Sequence, residues 1–201
     1  MKIRTILLIA MIAVLGVGSG LYAKPCTLTP AKAPALFGFK LGMTQAAAEK
    51  LSGKKADENN LNLFLSGGKY ARVPTGDTYF FIFNEKKDSK VVDNTVNKLS
   101  VSFMDAKLFE ISMELNKQSP WVTAPDTAAF FQQKFGIPAD AWVESPDKQD
   151  FETFNKNVTC SGVTIAVEAG KTFLDLKMYD TAVRARLEAA RDEIRKKYAD
   201  K

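Results

Sequence analysis

The sequence predicts an α+β fold: two tandem helix-plus-antiparallel-sheet units, followed by a long C-terminal helix. Three observations carry the prediction. Apolar and polar residues alternate in hairpin-sized pairs, at 99–103 with 109–115 and again at 163–167 with 174–178. Ahead of each pair lies a short stretch with helix start and stop signals. Beyond Asp180 the apolar residues fall on a helical stripe instead. The chain has 201 residues, 46% apolar and 25% charged, a globular composition with enough material for one large domain or two small ones.

The first element is a leader at 1–23. Lys2 and Arg4 precede an apolar run at 6–17, and Gly18-Ser19-Gly20 leads to Leu21-Tyr22-Ala23. That order is the order of a secretory signal peptide, with cleavage after Ala23 or after Gly20. Lipidation at Cys26 is not expected, because Pro25 stands where a lipobox needs a small residue. The leader points to the periplasm of a Gram-negative bacterium or to secretion, with no membrane span after cleavage. A Pro/Ala-rich stretch at 24–36 follows.

Cys26 and Cys160 are the two cysteines. In an oxidising compartment an even count of two implies one disulfide. It would close a loop of roughly 135 residues, worth about 5 kcal/mol in the chain-entropy model. It would also pin the Pro-rich stretch to the body.

The first unit spans 37–118. Thr44 is the expected N-cap of a helix carrying Ala46-Ala47-Ala48 and Leu51, with Gly53 as its stop. A strand at 61–65 and a turn at Gly67-Gly68 follow. The aromatic run 78–83 is apolar enough to predict a central strand. Residues 84–97 are charged and turn-rich and read as a long loop that orders on partner binding. The hairpin of 99–103 and 109–115 turns at Asp105-Ala106-Lys107.

The second unit, 119–180, repeats the plan. Pro125-Asp126-Thr127 opens a helix bearing Phe130, Phe131 and Phe135, stopped by Gly136 and Pro138. A strand at 151–158 precedes the second hairpin, which turns at Ala169-Gly170-Lys171. The amphipathic helix at 181–201 presents Val183, Leu187, Ala190, Ile194 and Tyr198.

Leu41-Gly42-Met43-Thr44-Gln45, the aromatic strand 78–83 and the alternating strand 99–103 resemble the SmpA/OmlA (BamE) envelope family over residues 38–115. The repetition is similar to the β-lactamase-inhibitor-protein architecture. The resemblance implies a non-catalytic envelope protein that works by surface contact.

Composition narrows the chemistry. Histidine is absent, which removes Ser–His and Cys–His nucleophile pairs and His-ligated metal or haem. No Walker loop, dinucleotide fingerprint, nucleophile elbow or EF-hand pattern occurs. Glu110 and Glu114 share a strand face but stand roughly 13 Å apart, beyond glycosidase spacing. No catalytic residue, metal ligand or cofactor is therefore assigned. The formal net charge is +5, and loss of Lys2 and Arg4 with the leader lowers it by two, too little to imply nucleic acid. The expected function is a protein-binding module that contacts another envelope protein, with Trp121, Tyr79 and Phe81 as candidate interface residues. The alternative is a small-ligand carrier whose pocket wall is the aromatic strand. Trp142 is expected in the core, whereas Trp121 suits core and interface equally.

Overall fold

The computed structural model describes residues 26–58, 62–65, 69–72, 78–84, 87–116, 123–144, 152–170 and 173–199. The leader, Trp121, the Gly67-Gly68 turn and the side chain of Tyr79 lie outside them. The chain runs through α1 (Gln45–Ser52), β1 (Asp57–Glu58), β2 (Asn62–Leu65), β3 (Lys69–Arg72), β4 (Thr78–Asn84), β5 (Val96–Met104) and β6 (Lys107–Leu115). It continues through α2 (Ala124–Phe135), β7 (Val143–Glu144), β8 (Glu152–Thr159), β9 (Val163–Gly170), β10 (Leu174–Asp180) and α3 (Thr181–Ala199). The class is α+β, as the alternation and helix signals predict.

Among the described residues, eight strands form one antiparallel sheet in the order β1-β4-β5-β6-β10-β9-β8-β7, and β2 and β3 make a separate hairpin. The strands β4-β5-β6 form one meander and β8-β9-β10 another. They join where β6 pairs with β10, Ser112 opposite Lys177. The two halves share one sheet and one apolar cluster, which includes Phe39, Phe83 and Val101 as well as Phe131, Trp142 and Ile165.

Local signals explain the helices. Thr44 accepts a hydrogen bond from Ala47 N–H, and Gly53 ends α1 in the left-handed region at φ 71°. Thr123 accepts from Asp126 N–H in the same way, and Gly136 ends α2 at φ 65°. The segment before α1 is tied to the tip of the β5–β6 hairpin. Gly42 N–H donates to Leu108 O (2.8 Å), Leu108 N–H to Met43 O (2.8 Å) and Gln45 N–H to Ala106 O (2.9 Å). Gly42-Met43-Thr44 is thus a short bridge onto β6 as well as a helix start.

Alternation places Leu99, Val101 and Phe103 of β5 and Ile165 and Val167 of β9 on the face covered by α1 and α2. α3 lies on the other face, where Leu187 and Ile194 pack with Met104 and Phe109. A bulge makes that contact possible. The β5–β6 register passes from Ser102↔Glu110 to Phe103↔Leu108, so Phe109 is the extra residue. Phe109 then turns toward α3 beside Glu110, while Leu108 and Ile111 both remain in the core.

Two sequence expectations are corrected. The strand 78–83 is not central: its outer neighbour is β1, two residues long. Its apolar character serves a single face, with Phe81 and Phe83 inward and Ile82 39% exposed. The hairpin turn is Asp105-Ala106 alone, both left-handed at φ 52° and 57°, with Met104 opposite Lys107. Residues 87–95 form the expected loop between β4 and β5, with no helix or strand, and one side of it packs on the core. Val91 and Val92 N–H both donate to Asp88 O, Val92 is fully buried, and Asp88 is 7% exposed.

Candidate interaction face

The helices close one face of the sheet, and α3 covers part of the other. Three transverse rows describe what is left, because antiparallel register carries one residue of each strand straight across. The first row runs Ile82, Ser100, Ser112, Lys177, Ala166, Asn157 and Val143, from β4 to β7. The second runs Asn84, Lys98, Glu114, Asp175 and Glu168. The third runs Phe80, Ser102, Glu110, Tyr179, Thr164 and Thr159.

α3 sits on the third row. Arg184 Nη1 donates to Glu110 Oε2 at 2.6 Å, and its guanidinium lies 5.8 Å from the Tyr179 ring centre. The hydroxyls of Thr159, Thr164 and Thr181 are linked at 3.1 and 2.9 Å, which ties the helix start to β8 and β9. Asp180 Oδ1 accepts from the N–H groups of Ala182 and Val183 and caps α3.

The first two rows have no such cover from α3 among the described residues. Ser100, Ser112, Lys177 and Asn157 are half-exposed, and Ile82, Lys98 and Glu114 are exposed. The side chains are short toward the centre and charged in the second row. There Glu114, Asp175 and Glu168 stand directly opposite one another on three adjacent strands, an arrangement that costs folding energy. Lys177 Nζ donates to Glu168 at 2.8 Å, and Asn97 Nδ2 to Glu114 at 3.2 Å. Asp175 is left half-buried between them. Burial pushes its carboxyl above the ordinary value of 3.8, and the neighbouring Glu114 and Glu168 push the same way against Lys177 and Lys98.

Of the predicted interface residues, only Phe81 has a described side chain. Phe81 is 2% exposed, its ring 5.6 Å from both Phe83 and Phe103, so it belongs to the core. Tyr79 pairs with Phe103 and with Glu58 through the backbone, and Trp121 lies outside the described residues. Trp142 is buried as expected, with its indole Nε1 lacking a hydrogen-bond partner. Cys26 and Cys160 form the expected disulfide. The sequence reading missed the transverse rows. The alternating Ser and Lys residues were visible, but not which strands would bring them side by side.

Among the described residues, no group of three or more His, Cys, Asp or Glu is placed to hold a metal ion, and no helix is long and apolar enough to cross a membrane. The chain matches no family model, no curated protein and no solved structure. The likeness to the SmpA/OmlA family therefore rests on residues 41–45 and the two strands alone.

Proposed function

We propose that this is an exported, non-catalytic binding module whose partner is another envelope protein, docked on the half-open face of the sheet. The observation that carries the reading is the in-register row from Ile82 to Val143, a band of mostly short side chains, exposed or half-exposed apart from buried Ala166, that α3 leaves uncovered. Open sheet faces suit protein partners better than small ligands, which are held in concave sites. The packing of Phe81 against Phe83 and Phe103 favours this reading over the carrier, whose pocket wall it was to be.

The disulfide supports an oxidising compartment, and with the leader it supports the periplasm or secretion. Two features support a duplicated unit of the SmpA/OmlA kind. Both helices start at a capping threonine and end at a left-handed glycine, and the two meanders meet strand-last to strand-last across β6 and β10.

The test is site-specific photocrosslinking in intact cells. A benzoylphenylalanine at Ser112 is expected to yield one dominant adduct, and the same probe at exposed Ala189 on α3 none. Equal labelling from both positions, or none from Ser112, overturns the proposal.

A further inference from the structure

Residues 26–35 are joined to the remainder of the fold in a different way from the residues that follow. Among the described residues no main-chain hydrogen bond links them to it. Their own bonds are local, Lys32 N–H to Thr29 O at 2.9 Å and Ala33 N–H to Pro30 O at 3.3 Å. Ser161 Oγ donates to Cys26 O at 3.4 Å in an exposed setting, and the Pro30 ring rests against Gly162. Leu28, Ala33 and Pro34 are buried, whereas Thr27, Ala31, Lys32 and Ala35 are exposed. The attachment changes at Leu36. Leu36 and Phe39 exchange two hydrogen bonds of 2.9 Å, the fully buried Phe39 ring lies 5.4 Å from Phe83, and Gly42 is bonded to Leu108.

We propose that the Cys26–Cys160 disulfide is a redox latch on the strap formed by residues 26–35. The latch goes beyond the proposed binding function and does not depend on it. Leu28 and Ala33 of the strap join the core cluster, but no main-chain bond backs them, and a segment without cross-chain backbone bonding opens at lower cost than the sheet, so the covalent bond is what keeps the strap down. The opening reagent is a dithiol. Its thiolate attacks the sulfur of Cys26, the more accessible of the two, and the S–S bond breaks. Cys160 leaves as a thiolate and takes up a proton. The reagent's second thiol then resolves the mixed disulfide. Two electrons and two protons pass to the protein, and the reagent departs as a disulfide.

Release uncovers the turn between β8 and β9. Gly162 of that turn accepts from Thr181 N–H at 3.1 Å, where α3 begins. The strap therefore rests on the turn to which the first residue of α3 is bonded, and opening it makes the Cys160 thiol accessible. Residues 36–41, α1 and the sheet keep their bonds.

The experiment compares hydrogen exchange of the folded, oxidised protein with the same sample after dithiothreitol treatment, reduction being verified by intact mass. Exchange at Lys32 and Ala33 is expected to quicken at least ten-fold more than in peptides from β5, β6, β9 and β10. Tryptic cleavage after Lys32 should accelerate in parallel. Unchanged exchange at Lys32 and Ala33 in fully reduced protein overturns the latch, since packing alone then holds the strap. Loss of protection throughout the sheet overturns it equally, since the disulfide is then a staple of the whole fold. A Cys26→Ser variant with Cys160→Ser should match the reduced protein without any reductant.

Discussion

The ammonium of Lys54 rests on the buried carboxylate of Asp88 and 5.2 Å above the centre of the Phe83 ring. One lysine thereby joins the end of α1, the segment after β4 and the aromatic core. Asp88 also accepts from Asn84 N–H at 2.9 Å. Asp88→Ala strands that donor and leaves Lys54 without its counter-charge. A loss of about 2 kcal/mol is expected, read by urea denaturation.

Two carboxylates set an acid limb of stability. Burial pushes the Asp88 carboxyl up, but hydrogen bonds from Lys54 and Asn84 and the charges of Lys54 and Lys87 outweigh it and leave it below 3.8. Glu49 is lowered from 4.5 to about 2 by hydrogen bonds from Lys55, Gln45 and Ala56 N–H. A lowered carboxyl contributes stability in full above its unfolded value and loses it as pH falls through the folded one. Stability should therefore decline from about pH 4.5 toward pH 2. Glu49→Gln should flatten that decline in pH-dependent thermal melts.

Asp175 carries the opposite sign. Its raised pKa means that its favourable contribution is present below 3.8 and is lost as pH rises through the folded value. Asp175→Asn should accordingly be more stable than the parent at pH 7, by about 0.5 kcal/mol, with Glu114 and Glu168 no longer facing a third charge. The gain should vanish near pH 3, and an equal gain at both pH values contradicts the like-charge account.

Ala106 holds a left-handed conformation without being glycine. Its carbonyl accepts from Gln45 N–H, so the turn cannot relax without freeing the start of α1. Ala106→Gly should raise stability by about 0.5–1 kcal/mol, the relief of the Cβ clash exceeding the added freedom of the unfolded chain. The denaturation midpoint reads it directly.

Trp142 is buried with an unpaired indole N–H. Trp142→Phe should cost under about 1.5 kcal/mol, because the lost area is offset by removal of an unsatisfied donor. Trp142→Ala should cost about 3–5 kcal/mol through the cavity it leaves. Similar losses for the two variants would contradict this reading of the N–H.

Much of the local structure was legible because its causes are local. Thr44 and Gly53 bound α1 and Gly136 stops α2, as predicted, by side-chain capping and left-handed stops that need no distant residue, while the cap of α2 is Thr123, two residues ahead of the expected opening at Pro125. The alternation of Leu99, Val101 and Phe103 declared a half-buried strand, and the stripe from Val183 to Tyr198 declared α3. The candidate Phe81 failed for a related reason. An apolar ring at Phe81 looks the same in sequence whether it meets a partner or Phe103, and only packing separates the two.

Periodicity and capping in the sequence alone thus determined the helices, the two alternating hairpins and the α+β class, and the count of two cysteines implied their pairing. Tertiary structure decided which strand lies beside which. The joining of β6 to β10 depends on backbone groups every strand possesses, so no local pattern marks it. The turn of Phe109 toward α3 depends on a one-residue bulge that appears only once β5 and β6 are in register. The transverse rows follow from those two events. A surface made of one residue from each of seven strands exists only after the sheet does.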